Sequence, residues 1–173
     1  PRFRKDAKTG SMEGFLFPAL YEFTQETTAR ELVSDQLTTF RERFATVDLA
    51  YARSKNLTPY DVLIIASMIE KETAIASERR LVSAVIYNRL RNGMPLGIDA
   101  TLRYGFDIPG TESLTKEAIR TDSPYNTRIR TGLPPTPIAN PGLASIRAAA
   151  NPARGVDYLY YVRIPGTRRH FFT

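Results

Sequence analysis

Between Thr27 and Phe44 the apolar residues Leu32, Val33, Leu37, Phe40 and Phe44 recur at helical spacing on one side, which predicts an amphipathic helix. A second, shorter helix is predicted over Val47 to Lys55, with Asn56 as its stop. Thr58-Pro59-Tyr60-Asp61 then reads as a helix start. Thr is the N-cap, Pro takes the first helical position, and Asp three residues after the cap makes an acidic variant of the capping box. The helix it opens is apolar nearly all round from Val62 to Ile69, so it is expected to be buried, and it ends abruptly in Glu70, Lys71 and Glu72. Ser77 is positioned to cap a further helix through Leu81, Val85, Ile86 and Leu90, stopped at Gly93.

The flanking regions carry other patterns. Met12 to Phe23 sets aromatics and aliphatics around Gly14 and Pro18, which suits a strand or extended segment better than a helix. Between Pro95 and Pro141 the chain holds most of its prolines and one short helical candidate, Thr115 to Arg120; its aromatic and aliphatic residues argue that this long stretch is ordered. Gly142 to Ala150 predicts a short helix. Asp157 to Ile164, Pro165-Gly166-Thr167 and Arg168 to Thr173 together predict a hairpin. These elements define an α+β fold: a helical cluster carrying the Glu70 helix, packed with a small antiparallel sheet built from the N-terminal block and the C-terminal hairpin. The Pro95 to Pro141 region is expected to wall a cleft.

Composition narrows the chemistry. At 173 residues and 42% hydrophobic, the chain is long enough for one substantial core, so a single domain over residues 1–173 is expected. With no cysteine and one histidine, His170, neither a thiolate nor a His-based metal cluster is available, and no metal or cofactor is expected. His170 reads better as a satisfied strand residue than as a catalytic base. The net charge of +6 suits an anionic partner, but the arginines are dispersed and form no nucleic-acid motif. The chain begins at Pro1 without an initiator Met and ends on what reads as mid-strand. Both ends are therefore expected to lie within a longer protein.

Glu70 is the first catalytic candidate, because a carboxylate at the tip of an apolar helix is costly to desolvate as an anion and so favours its protonated form. The alternative is a solvated helix end with ordinary charges. Glu70 and Glu72 are not a ready-made acid pair, since positions two apart on a helix point roughly 200° from each other. With Glu70 in the cleft, Glu72 is expected to face solvent or a neighbouring Arg; an irregular helix end would permit the reverse.

Three blocks resemble the endolytic murein transglycosylases, the MltG or YceG-like family: EGFLFPALY from Glu13 to Tyr21, ASMIEKETAIASER from Ala66 to Arg79 leading into YNRLRNGMPLGIDATLRYG, and SPYNTRIRTGLPPTPIANPGLASIRAAANP from Ser123 to Pro152. The resemblance spans essentially the whole chain. It implies the catalytic region of a bacterial cell-wall enzyme that cleaves peptidoglycan glycan strands between MurNAc and GlcNAc, leaving a 1,6-anhydroMurNAc end, through a cleft lysozyme-like in function. The same resemblance implies an upstream membrane helix and LysM-like module, a single-pass anchor with the catalytic region on the outer side of the membrane, and work beside penicillin-binding proteins and other cell-wall synthases.

Carried over by position, the family's catalytic glutamate falls on Glu70, with Glu72 as the second choice, and substrate candidates fall on Glu13, Tyr21, Glu72, Asp99, Tyr104, Asn126 and Asn140. Asn126 and Asn140 either hydrogen-bond sugar hydroxyls and acetamido groups or form turns beside Pro124 and Pro141. Tyr104 and Tyr125 either stack on sugar faces or pack in the core. Asp99 either orients substrate or a nearby Arg, or caps a turn before Thr101. The chain departs from the family pattern at Ala19, where an acidic residue is frequent, and at Gly97, where Gln is frequent.

The rival readings are weaker on the residues. A non-catalytic peptidoglycan-binding or scaffolding module would be favoured by loss of both Glu70 and Glu72, and both are present. A pyridoxal-phosphate lyase needs a Schiff-base lysine and a phosphate cup, yet Lys71 is the only lysine in the apolar segment and no Gly-rich phosphate loop precedes a helix. Nucleic-acid binding rests on charge alone.

Overall fold

The computed structural model describes residues 10–173. Along these residues run α1 (Ala29–Ala45), α2 (Ala50–Ser54), α3 (Pro59–Glu72), a 3-10 turn (Ala76–Glu78), α4 (Arg79–Arg91), α5 (Asp99–Gly105), α6 (Lys116–Arg120), α7 (Leu143–Ala150), β1 (Tyr161–Arg163) and β2 (His170–Phe172). The architecture is helix-rich with one two-stranded antiparallel sheet, consistent with the α+β class. None of the helices among the described residues is long and apolar enough to cross a membrane.

Helix α3 is the axis of the core. Its start is a reciprocal box in which Thr58 Oγ1 accepts from the Asp61 N–H at 3.1 Å and Asp61 Oδ2 accepts from the Thr58 N–H at 2.8 Å. Every residue from Val62 to Ile69 is buried, as the apolar run predicts, and full burial of each aliphatic side chain is worth roughly 1.5–3 kcal/mol. The helix packs most extensively on α7, then on α4. Small residues let α7 come close: Ser145 and Ala148 to Ala150 are all buried there. The Tyr87 hydroxyl adds a bond from α4 to the Ala149 carbonyl at 2.7 Å.

Helix α1 lays Phe40 and Phe44 into the same core, and its own start repeats the capping box with Thr28 and Glu31. The Phe15 ring meets Phe40 edge-on at 5.3 Å and stacks on Tyr60 at 6.2 Å, docking the N-terminal block onto α1 and α3. That block contributes no strand, contrary to expectation. It forms a turn at Glu13–Phe15 followed by extended chain, and its Gly14 and Leu16 amides bond to the Asn140 side chain instead of to a neighbouring strand. Gly14 has φ +90°, and a Cβ there would stand 2.6 Å from the Pro137 side chain, so the tight approach needs glycine.

Two further expectations are corrected. Ser77 does not cap α4; it lies inside the 3-10 turn, and Glu78 precedes the helix with no side-chain cap bond. The Pro95 to Pro141 region contains α5 as well as the predicted α6, and it is ordered by buried hydroxyls, among them Thr127 Oγ1, which bonds the Ile98 amide at 3.0 Å and Thr101 Oγ1 at 2.9 Å. The C-terminal hairpin forms as predicted, pairing Tyr161 with Phe172, Val162 with Phe171 and Arg163 with His170. Helix α4 holds the segment leading into it: Asn88 Nδ2 donates to the Val156 and Tyr158 carbonyls and Arg89 Nε to the Leu159 carbonyl.

One buried contact ties α3 to the long loop. Ser67 Oγ donates to the Ile64 carbonyl at 2.7 Å and accepts from the Ile138 N–H at 2.9 Å. Ser67→Ala strands that buried amide and is expected to lower unfolding stability by about 1–3 kcal/mol. Urea unfolding with an unchanged slope and a lower midpoint checks this; an unchanged midpoint contradicts it.

Candidate active site

The last turn of α3 separates its two glutamates. Glu70 turns toward the start of α7, where its Oε2 accepts from the Gly142 N–H at 3.1 Å. Pro18 of the N-terminal block reaches the same place, since a Cβ on Gly142 would stand 4.0 Å from Pro18 Cγ and 3.8 Å from Glu70 Oε2. Glu70 thus ties the end of α3 to the start of α7.

Glu72 turns toward the hairpin, not toward open solvent or an arginine. Its Oε2 accepts from the Tyr161 hydroxyl at 2.7 Å, and it faces Asp99 at the start of α5 and His170 on β2. Burial pushes the Glu72 carboxyl above its ordinary range; the Tyr161 bond opposes this, Asp99 adds to it, and His170 works the other way. Tyr161 is pushed well above the ordinary phenol value, first by burial and then by the neighbouring Glu72 charge, so its hydroxyl keeps its proton and acts as a fixed donor. A protonatable carboxyl with one bound donor, at the tip of a rigid helix, is the arrangement a general acid requires.

Asp99 is held by Arg128, whose Nε and Nη2 both approach Oδ1 at 2.6 Å, so the sequence alternative of a nearby Arg is realised. Near α5, the Tyr104 and Tyr125 rings are tilted against each other at 5.4 Å, and Tyr125 bonds Thr136 Oγ1 at 2.8 Å. Glu13 adds its charge beside Tyr104, whose pKa is raised by burial first and by Glu13 next. Tyr104 and Tyr125 also face Tyr60 in the first turn of α3. Helix α5 therefore lies along α3 with Asp99 toward Glu72 and Tyr104 toward Tyr60, placing aromatic and acidic groups along one path.

Other sequence candidates make hydrogen bonds within the fold. Asn126 is fully buried; its Nδ2 donates to the Ile119 and Thr121 carbonyls and its Oδ1 accepts from the Arg128 N–H. Asn140 Oδ1 accepts from Gly14 at 2.8 Å and Leu16 at 3.0 Å. The Tyr21 hydroxyl donates to the Phe17 carbonyl at 2.7 Å. Sequence reasoning missed Tyr161 and Glu78. The alternation of the hairpin carries the first signal, because it puts Tyr161 on the same face as His170; nothing local marks Glu78.

Glu78 is a buried carboxylate bonded by Thr73 Oγ1 at 3.1 Å, by the His170 N–H at 3.0 Å and by His170 Nδ1 at 2.7 Å. Burial raises its pKa, but the His170 and Thr73 bonds outweigh this and hold it below the ordinary value. No group of three or more acidic or histidine side chains suited to a metal occurs among the described residues. A separate cavity of ≈ 420 Å³ between the ends of α2 and α4 is lined by Tyr51, Lys55, Tyr87 and Arg91 and contains none of these carboxylates.

The fold agrees with known proteins. The model of the YceG-like family matches residues 2–173, and the chain belongs to that family. It is similar to the endolytic murein transglycosylase of Bacillus subtilis (strain 168), 35% identical over 160 residues, which cover 92% of this chain and 44% of that protein. It is 38% identical over 157 residues to the endolytic murein transglycosylase of Streptococcus pneumoniae (strain ATCC BAA-255 / R6), covering 87% of this chain and 28% of that one. The chain therefore spans less than half the length of these curated relatives. Among solved structures, the crystal structure of a yceG-like protein from Listeria monocytogenes superimposes with a TM-score of 0.83 at 31% identity, over 94% of this chain and 52% of that one.

The Glu78 cluster has a consequence for acid stability. A depressed carboxyl contributes stability above its unfolded value of about 4.3 and loses it as pH falls through the lower native value. Unfolding midpoints of the wild type are expected to fall steeply below about pH 4.3, while those of Glu78→Gln start lower at neutral pH and fall less. Parallel curves for the two proteins would contradict this.

Proposed function

We propose that this chain is the catalytic region of a lytic transglycosylase acting on the glycan strands of peptidoglycan, with Glu72 as its general acid and base. The observation that carries the reading is Glu72 itself: a partly buried carboxyl at the end of α3, raised by burial and bonded by a hydroxyl that stays protonated. The family and the activity for which the two relatives are named supply the substrate class. Position alone assigns the acid to Glu70. The geometry supports Glu72, because Glu70 is engaged by the Gly142 amide as a brace between helices.

In this mechanism protonated Glu72 gives its proton to the glycosidic oxygen between MurNAc and GlcNAc as the C1–O bond breaks. The carboxylate left behind takes the proton of the MurNAc C6 hydroxyl while that oxygen closes on C1. The ring closure yields 1,6-anhydroMurNAc, restores the acid and consumes no water. The MurNAc N-acetyl oxygen helps hold the oxocarbenium-like intermediate. One carboxyl therefore suffices where ordinary hydrolysis uses two. Tyr161 supports the step in which Glu72 is an anion, a contribution stronger after proton delivery than before it. Tyr104, Tyr125 and Glu13 offer aromatic faces and a hydrogen-bond acceptor along the groove for neighbouring sugars.

The substrate puts the reaction on the outer side of the plasma membrane. There we place the chain as part of a membrane-anchored protein working on nascent strands beside penicillin-binding proteins and other synthases.

Mass spectrometry of purified peptidoglycan after incubation tests the assignment. Wild type and Glu70→Gln are expected to release anhydro-ended muropeptides, since a Gln amide oxygen still accepts from Gly142. Glu72→Gln is expected to lose about 10²–10⁴-fold in rate with no fall in thermal midpoint, because it removes a desolvated charge and keeps an acceptor for Tyr161. Loss in Glu70→Gln alone would return the role to Glu70. Reducing-end products would mean hydrolysis, with Asp99 as the second carboxylate; retention of glycan without any product would mean a binding module.

A further inference from the structure

Glu78 is a buried ionisable group held by three hydrogen bonds, and no step of the proposed reaction uses it. It is 6% exposed and lies at the end of the 3-10 turn joining α3 to α4. A buried carboxylate is costly unless its oxygens are satisfied, and here three donors satisfy it. One is Thr73, which ends α3; the other two, the backbone amide and Nδ1, belong to His170 on β2. The carboxylate is therefore a clasp between the end of the catalytic helix and the hairpin.

The hairpin needs such a clasp. It has three residue pairs, and a two-stranded ribbon of that size is marginal by itself. Its inward face carries Tyr161, His170 and Phe172. The His170 ring stands edge-on to Tyr161 at 5.5 Å and 88°, and Phe172 lies 5.9 Å from Tyr161 as its cross-strand partner. Displacing His170 thus displaces the ring whose hydroxyl reaches Glu72.

We propose that Glu78 is a positioning residue for the reaction: by gripping His170 it holds the hairpin where the Tyr161 hydroxyl meets Glu72 Oε2, and so sets the hydrogen bond made by the acid. The proposal rests on the reading of Glu72 as that acid. Glu78 touches no substrate and acts only through His170 and Tyr161.

The charged and titratable groups around the acid come from each packed element: Tyr161 from β1, His170 from β2 and Asp99 from α5, the last paired with Arg128, while Arg89 of α4 faces Tyr161. The Tyr161 bond favours the Glu72 anion. Breaking it keeps the proton on Glu72 to higher pH, so the alkaline limb of kcat/KM moves up.

The test is carboxyl-carbon NMR titration of Glu72, paired with pH profiles of kcat/KM on soluble uncrosslinked glycan strands. Tyr161→Phe and Glu78→Gln are each expected to raise the Glu72 midpoint by about one pH unit, and the double variant to raise it no further than either alone. His170→Ala is expected to follow Glu78→Gln. His170→Asn, whose amide nitrogen stands near the place of Nδ1, is expected to return the midpoint toward wild type. Circular dichroism confirms folding, and if Glu78→Gln does not fold, the His170 pair carries the comparison.

An unchanged Glu72 midpoint in folded Glu78→Gln and His170→Ala, or additive shifts in the double variant, would overturn the proposal. Glu72→Gln run alongside separates the two claims. Full activity in that variant would remove the reading of Glu72 as the acid, whereas an inactive Glu72→Gln with an unmoved midpoint in Glu78→Gln would remove only the positioning role.

Discussion

Burial of α3 on every side is the constraint on which the other features depend. A helix that is apolar all round must be enclosed, and α1, α4, α5, α7 and the N-terminal block supply that enclosure. Its direction and register are then fixed by the Thr58–Asp61 box at one end and Ser67 in the middle. The first charges after Ile69 consequently emerge at a defined place, where the enclosing layer changes from helices to loop and hairpin. A carboxylate there is half desolvated because the core ends beside it, and its orientation is inherited from the rigidity of the helix.

The two glutamates at that boundary divide the work. Glu70 meets a backbone amide and joins α3 to the start of α7, while Glu72 meets a side-chain hydroxyl and other ionisable groups. The same division recurs among the polar residues of the long loop. Asn126 is buried and spent on backbone groups that turns have left unpaired, the usual demand on buried polar side chains, and part-buried Asn140 gives its Oδ1 to two backbone amides.

Local rules made much of the fold legible. Helices α1 and α3 were readable because periodicity and capping boxes agree, and the hairpin because alternation surrounds a Pro-Gly turn. Helix α5 escaped since it has seven residues and no side-chain cap to announce it. The N-terminal block imitates a strand because its extended backbone is satisfied by an Asn side chain 124 and 126 residues away. The site was half readable. Helical geometry shows that Glu70 and Glu72 diverge, but what Glu72 meets is decided by Tyr161, 89 residues away in sequence, and Glu78 acquires its meaning only when His170 arrives 92 residues later.

The central claim is that Glu72 reaches the scissile bond. A crystal structure of Glu72→Gln with a bound GlcNAc–MurNAc oligomer tests it most directly. The account predicts the amide at position 72 within about 3 Å of a MurNAc–GlcNAc glycosidic oxygen, with Glu70 still on the Gly142 amide. A glycosidic oxygen lying against Glu70, with position 72 buried behind the hairpin and out of reach, would contradict it.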